Sequence, residues 1–257
     1  MIKDQKHNKL IMEQFSKQAV PFSKKVPAHS NQTAFKLIIN TVSIDKNDIV
    51  LDVACGPGML TTAVAQKASK VTGIDLVPAM IRQSKIAQKK NKLLNMDWKI
   101  GDVTKLPFPD GSFSVVLTRF SFHHFLKPQK VLKEMVRVAK PKGKVGVVDV
   151  FTKSPTHSKL HNLMEKLRDD SHVKALSLDD LQKLAIEAGF KNIKTKFYDL
   201  EIELEQQLSA SFPKPGKRYC QMLCSGILAH PVFRSILSIF CPLYASISND
   251  LDHPQIS

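Results

Sequence analysis

The stretch Val50-Leu51-Asp52-Val53-Ala54-Cys55-Gly56-Pro57-Gly58 decides how this chain is read. Its first half has the apolar composition of a buried strand. Its second half is a glycine turn that runs straight into an apolar helical pattern from Met59. Glycine at such a turn lets the backbone approach a ligand closely, because no Cβ intrudes and positive φ is allowed. A second apolar strand, Val71 to Asp75, ends in an acid. A carboxylate at that strand tip can accept hydrogen bonds from both hydroxyls of a ribose. Together the two strand ends predict a nucleoside-containing ligand lying across them.

What the turn lacks narrows the ligand. The dinucleotide fingerprint G-x-G-x-x-G uses its third glycine to pack helix against strand, and that position is Thr61 here. A Walker-type phosphate loop requires Gly-Lys-Ser/Thr after its spacer, and none follows. A cofactor with a nucleoside and no phosphate fits better, and S-adenosylmethionine is such a molecule. A nicotinamide oxidoreductase is disfavoured on the same ground.

Further segments extend the pattern. Trp98-Lys99-Ile100-Gly101-Asp102-Val103 reads as a third strand ending in an acid, followed by Leu106-Pro107-Phe108-Pro109-Asp110-Gly111-Ser112-Phe113. A fourth strand, Ser114 to Arg119, runs into Phe120-Ser121-Phe122-His123-His124-Phe125. Apolar spacing predicts a helix over Pro128–Val138, closed by Lys140-Pro141-Lys142-Gly143 before another strand from Val145. In this order the segments resemble those of the class I S-adenosylmethionine-dependent methyltransferases, specifically the type 11 group, relatives of the ubiquinone/menaquinone biosynthesis methyltransferases. The carriers are LDVACGPG, Asp75, GDVTKLPFPDGSF, RFSFHHF and RVAKPKG. Leu167-Arg168-Asp169-Asp170-Ser171-His172-Val173-Lys174 is similar to a run in a bacterial subgroup of these enzymes. The resemblance spans residues 12 to 200.

The alternation of elements predicts an α/β, Rossmann-like fold, a mostly parallel twisted sheet with helices on both faces. The expected strands are Ile49–Ala54, Val71–Asp75, Met96–Ile100, Phe113–Arg119, Val145–Phe151 and a sixth over Lys191–Tyr198. Expected helices are Asn31–Val42, Met59–Ala68, Ala79–Lys90, Pro128–Val138, Lys159–Arg168 and Ser177–Ala188. The last has Ser177 and Asp180 as a capping box and stops at Gly189. Residues 1–46 read as a helical lead-in or lid, with Gln14 to Ala19 and Phe22 as lid residues. Residues 47–200 form the cofactor-binding core, and 201–257 an irregular C-terminal segment. Family members end on an antiparallel strand, and nothing after Leu208 follows that pattern. The apolar run Ser235–Ile247 is too short to cross a bilayer, which takes about 20 residues. A membrane or partner contact of that tail is one reading of it.

Composition bounds the rest. The 257 residues suit one α/β domain with appendages, and 43% hydrophobic with 24% charged content is ordinary for a soluble protein. Cys55, Cys220, Cys224 and Cys241 show no disulfide framework, which suits a reducing cytoplasm. MIKDQKHNKL lacks the apolar centre of a secretory signal. The net charge of +15 comes from lysines scattered along the chain, which favours a solvated surface over a nucleic-acid face. The Asn/Asp-Pro-Pro-aromatic tetrapeptide of amino-methylating nucleic-acid enzymes is replaced by Arg119-Phe120-Ser121-Phe122, and no Pro-Cys nucleophile pair occurs. A small-molecule acceptor is therefore expected. An RNA methyltransferase and a non-enzymatic cofactor-binding protein are the alternatives.

For the site, the resemblance implies that Asp52, Ala54, Gly56 and Gly58 shape the cofactor turn and that Asp75 binds the ribose. It implies Leu76 and Met80 over the adenine, Asp102 at the adenine amino group backed by Val103, and Arg119 with Phe120 toward the methionine end or acceptor. Plain structural readings stand beside these: Asp75 and Asp102 as caps, Leu76 and Met80 as core, Arg119 paired with a buried carboxylate. Methyl transfer mainly requires alignment and a dry site, and no metal. An acceptor hydroxyl or acidic carbon benefits from a base, for which His123, His124 and His172 are the candidates. Phe22, Phe120, Phe122 and Phe125, if gathered at the mouth, suit a partly apolar or aromatic acceptor.

Overall fold

The computed structural model describes residues 2–25, 31–198 and 210. The expectations for the tail, including Ser235–Ile247, Cys220, Cys224 and Cys241, lie outside the described residues. The elements run α1 (Ile2–Lys25), α2 (Gln32–Val42), β1 (Ile49–Val53), α3 (Met59–Ala65), β2 (Lys70–Asp75), α4 (Pro78–Lys90) and β3 (Met96–Ile100). Then come β4 (Phe113–Arg119), α5 (Pro128–Val138), β5 (Ala139–Val148), α6 (Pro155–Arg168) and α7 (Leu178–Glu187), with a 3₁₀ turn at Phe122–His124 after β4.

The five strands form one sheet in the order β3-β2-β1-β4-β5, and every ladder is parallel. Strands buried on both faces are apolar throughout rather than alternating. Accordingly Val50, Leu51 and Val53 of β1, and Val115, Val116 and Leu117 of β4, are inaccessible to solvent. One apolar layer joins the sheet to α5 and α7 through Val131, Leu132, Met135, Leu181 and Ala185. The other joins it to α2 and α3 through Phe35, Ile38, Val42, Leu60 and Val64. A third cluster, Ala19, Val77, Ala79 and Met80 with Ile11, Phe15 and Leu76, fixes α1 beside α4.

Topology sets the position of the site. The chain builds outward from β1 through β2 to β3, then returns to place β4 on the other side of β1. Val53 is in register with both Ile74 and Thr118, so the carboxyl ends of β1, β2 and β4 lie level. An open parallel sheet binds ligands in the crevice at such a reversal.

Caps mark the helix ends that the sequence signalled. Asn31 Oδ1 accepts from Ala34 N at 3.0 Å, and Ser177 Oγ accepts from Asp180 N at 3.0 Å. After α7, Gly189 takes the left-handed conformation, φ +89°.

Three expectations need correction. The Lys140–Gly143 stretch is part of β5, not a turn before it: pairing starts at Phe113↔Ala139 and shifts register before Val115↔Lys144. The strand ends at Val148, and Asp149 turns inward instead of extending it to Phe151. Lys191–Tyr198 joins no ladder among the described residues. Asn192 turns with φ +54°, and the segment is held by side chains, with Phe197 against Phe151 and Tyr198 against the α2–α3 layer.

Candidate active site

The tips of β1 and β4 carry strained backbone. Ala54 and Phe120, neither of them glycine, both have φ +55°. Each costs on the order of 1–2 kcal/mol, and such residues concentrate where ligands bind. Gly56 and Gly58 share the left-handed region. A Cβ on Gly58 would lie 2.8 Å from the Trp98 ring, so only glycine fits. A Cβ on Gly56 would meet no atom within 4 Å, because that face of the turn is open. The two tips are laced together: Thr118 Oγ1 donates to Val53 O at 2.7 Å, and Ser121 Oγ lies 2.5 Å from Thr118 Oγ1.

Carboxylates stand around this turn. Asp75 Oδ2 accepts from Gly56 N at 2.8 Å and Oδ1 from Val77 N at 2.9 Å. Burial pushes its pKa up to about 6 against those hydrogen bonds. Asp52 is raised by burial to about 7, opposed by the hydroxyl of Thr61, which donates to Oδ2 at 2.6 Å. Thr61, at the position of the missing third glycine, thus supplies a hydrogen bond to the acid beneath the turn. Asp102 Oδ1 accepts from Thr104 N at 2.8 Å. Its loop is pinned to α5 by Arg137, which donates to the carbonyls of Phe108 and Leu106, and by Glu134, which accepts from Leu106 N.

Helix α1 forms the roof. Asn8 Nδ2 donates to Asp102 Oδ2 at 3.1 Å, His7 Nε2 donates to the carbonyl of His124 at 2.7 Å, and Asp4 pairs with Lys127 at 2.7 Å. Beneath it lies a cleft of about 1290 Å³ measured out to its solvent mouth. Ile11, Phe15, Phe22, Phe120, Phe125 and Leu126 supply its apolar surface. The Arg119 guanidinium stacks 4.0 Å above the Phe120 ring and 5.1 Å from that of Phe35.

A buried histidine cluster lies behind the cleft. His123 Nδ1 donates to Asp149 Oδ1 at 2.6 Å, and His123 N to Oδ2 at 3.2 Å. Burial opposes charge on His123, yet Asp149 outweighs it and raises its pKa; His123 in turn lowers that of Asp149. Each partner thus favours the charged form of the other. His172 Nε2 donates to Asn162 Oδ1 at 2.7 Å, an orientation fixed because Asn162 Nδ2 donates to Ser158 O. Burial, and then the neighbouring His123, push His172 down to about 3. Among the described residues no group of His, Cys, Asp and Glu could hold a metal ion.

Ten of the cofactor positions expected from the sequence fall together. Asp52, Ala54, Gly56, Asp75, Leu76, Met80, Asp102, Val103, Arg119 and Phe120 all line the cleft. Gly58 lies behind it, packed on Trp98 and Ser84. Of the candidate bases only His124 reaches the cleft; His123 and His172 do not line it, and His172 is 1% exposed. The rings of His123 and His172 sit 5.6 Å apart in the layer behind. Phe122 turns into the core with Val131 and Leu132, so three of the four expected phenylalanines remain at the mouth. Of the expected lid residues, Phe15 and Phe22 line the cleft, Gln14, Gln18 and Ala19 are buried, and Ser16 and Lys17 face solvent. His7, Asn8 and Ile11 were not foreseen. Their signal was the spacing Asp4, His7/Asn8, Ile11, Phe15, Gln18, Phe22, one stripe of a helix.

The lining suits a nucleoside without phosphate. It offers free carboxylate lone pairs at Asp75 and Asp102, apolar faces at Leu76, Met80 and Val103, and an open backbone cradle at Gly56. Comparison with known proteins agrees. Residues 51–147 match the family model described as a methyltransferase domain. The chain is 31% identical to the uncharacterized methyltransferase YcgJ of Bacillus subtilis over 172 residues, 64% of this chain and 68% of that one. It is 32% identical to the demethylmenaquinone methyltransferase of Lactobacillus johnsonii over 185 residues, 62% of this chain and 74% of that one. The crystal structure of YcgJ superposes with a TM-score of 0.72 at 21% identity, covering 85% of this chain and 96% of the other, a likeness of fold. The chain therefore belongs to the class I S-adenosylmethionine-dependent methyltransferases of the type 11 group, and S-adenosylmethionine is its cofactor.

Proposed function

We propose that this enzyme methylates an oxygen or carbon atom of a small, partly apolar acceptor that enters the cleft beside His124. The observation that carries the reading is the cleft itself. Acids line its nucleoside end, and Phe15, Phe22, Phe120 and Phe125 line the remainder under the roof of α1. The cofactor supplies a methyl group activated by a sulfonium centre. The chain's own residues bind, orient and exclude water.

In this reading both Asp75 oxygens, each already holding one backbone N–H, use their remaining lone pairs for the ribose hydroxyls. Asp102 accepts from the adenine amino group, and Leu76, Met80 and Val103 cover the ring. Ala54, Gly56 and Gly58 shape the turn against which the cofactor lies, with Asp52 beneath it. Arg119 and Phe120 bound the reacting end. The fixed Arg119–Phe120 stack supports that assignment, since it keeps a cation at a set position on the cleft wall. We assign residues 1–46 as roof and support, 47–200 as the catalytic core, and the enzyme to a reducing cytoplasm, the latter supported by the free thiol of Cys55 in the turn.

The test is transfer of label from methyl-labelled S-adenosylmethionine to a panel of small phenols, reduced naphthoquinones and acidic-carbon compounds. Reduced naphthoquinones are included because a relative is named a demethylmenaquinone methyltransferase. The net charge of +15 motivates a total-RNA arm. Label in a small molecule supports the proposal; label in RNA alone overturns it.

A further inference from the structure

The loop that follows α6 grips the one candidate base of the cleft from behind. Ser171 Oγ lies 2.5 Å from Asp169 Oδ1 and 3.1 Å from His124 Nδ1. Ser171 N adds a second hydrogen bond to the same carboxylate oxygen at 2.8 Å, and Gln18 Nε2 of α1 donates to Asp169 Oδ2 at 3.3 Å. Val173 N and Lys174 N donate to the carbonyl of His123 at 2.8 and 3.1 Å, clamping the loop onto the 3₁₀ turn that carries His124. Asp169, Ser171 and Gln18 are buried to within 1% exposure.

A hydroxyl has one proton to give. Asp169 accepts from Ser171 Oγ, Ser171 N and Gln18 Nε2, donors on both oxygens that leave the carboxylate in the accepting, ionised form. The carboxylate therefore takes the Ser171 proton, and the contact with His124 runs the other way, from Nδ1–H to Ser171 Oγ. His124 is then the Nδ1–H tautomer when neutral. Its lone pair sits on Nε2, which takes no hydrogen bond among the described residues and is not sealed in the core, on a residue that lines the cleft. The groups around the ring are His123 at 4.3 Å between centroids, itself paired with Asp149, then Phe15 of α1 edge-on at 4.9 Å and His172 at 6.2 Å, with Arg168 and Asp169 behind. Burial and His123 push His124 down to about 4, so it is neutral at pH 7.

We infer that Asp169 and Ser171 are positioning residues that fix His124 Nε2 as the proton acceptor of the reaction, so that the acceptor substrate is one with a proton to lose. The inference rests on the proposed placement of the acceptor beside His124. An acceptor hydroxyl oxygen forms its bond to the methyl carbon, the electron pair of the broken methyl–sulfur bond stays on sulfur, and the hydroxyl proton passes to Nε2. An oxygen gaining a bond to methyl becomes far more acidic than the free hydroxyl, so a weakly basic imidazole suffices. The Asp169 carboxylate, one hydroxyl away, offsets the imidazolium charge as it forms. A phenol, an enol or a comparably acidic C–H fits; an acceptor that attacks through a lone pair without losing a proton gives this relay nothing to do.

The test reads the tautomer directly and needs no acceptor. Long-range ¹H–¹⁵N correlation spectra of the labelled full-length protein at pH 7.5 distinguish Nδ1–H from Nε2–H imidazole. Wild type is expected to show His124 as Nδ1–H. Ser171→Ala should move it to Nε2–H or to a mixture, while Ser171→Thr, which keeps the hydroxyl, should restore Nδ1–H. Affinity for S-adenosylhomocysteine should stay within twofold in all three, since neither residue lines the cleft. An Nε2–H tautomer in wild type, or an Nδ1–H tautomer indifferent to Ser171→Ala, overturns the relay. The wild-type spectrum decides alone should Ser171→Ala fail to fold. Because it does so with or without cofactor, failure of the relay is distinct from failure of the cofactor site, which the affinity arm reads.

Discussion

Replacing Asp75 by Asn should cripple cofactor binding while leaving the sheet intact. Each Asp75 oxygen takes one backbone donor, Gly56 N at 2.8 Å and Val77 N at 2.9 Å, which leaves one lone-pair direction on each for a ribose hydroxyl. Asparagine offers one acceptor oxygen and turns the other position into a donor. It loses at least one charge-assisted hydrogen bond to the ribose, about 1.5–3 kcal/mol, and opposes its NH₂ to a backbone N–H or to the other hydroxyl. The sum is roughly 2–4 kcal/mol, on the order of 30- to 1000-fold in Kd. The assay is calorimetric titration of S-adenosylhomocysteine into wild type and Asp75→Asn, with thermal unfolding of both. A folded variant that binds within threefold of wild type would show that Asp75 does not hold the ribose.

Other outcomes follow from the same geometry. Asp75 has a pKa near 6 because of its burial, and the ribose contact needs it ionised. Affinity for S-adenosylhomocysteine should therefore fall about tenfold from pH 7 to pH 5 through this group; a flat profile would contradict it. The same raised pKa makes the contribution of Asp75 to the stability of the ligand-free protein greatest below the unfolded value of 3.8 and lost as the pH rises through about 6. Asn8→Ala removes the roof's hydrogen bond to Asp102, about 1 kcal/mol, and should speed S-adenosylhomocysteine release roughly fivefold in stopped-flow displacement. His123→Ala leaves Asp149 buried without its cation and should lower the unfolding free energy by about 3–5 kcal/mol in urea titration. A loss under about 1 kcal/mol would mean that Asp149 finds another partner.

Much of the fold was legible because parallel strands advertise themselves. Val115 to Leu117 is a continuous apolar run, Val50 to Val53 is one broken only by the buried Asp52, and the glycines, caps and acids at their ends mark where each element stops. Ser177 and Gly189 bracketed α7 for the same local reason. The errors arose where tertiary pairing overrides local chemistry. Lys140-Pro141-Lys142-Gly143 has turn composition, yet β4 recruits it through a register shift. Lys191–Tyr198 has strand composition and finds no partner strand among the described residues. The site divides likewise. Its floor is local in sequence and could be read from motif residues. Its roof and the ordering among three histidines depend on contacts such as Asn8 with Asp102 and Ser171 with His124, between residues far apart in the chain. No periodicity or spacing reports those. Thr61 illustrates the boundary: sequence showed which role it could not play, and only the fold showed it bonded to Asp52.

A crystal structure of the full chain with S-adenosylhomocysteine puts the cofactor site to its sharpest trial. Both ribose hydroxyls should lie within hydrogen-bond distance of the Asp75 carboxylate, and the adenine between Leu76 and Val103 with its amino group on Asp102. The sulfur should be directed toward the Phe120–His124 side of the cleft. A ribose bound away from Asp75, or a ligand lying outside the cleft at the carboxyl ends of β1, β2 and β4, would contradict this placement.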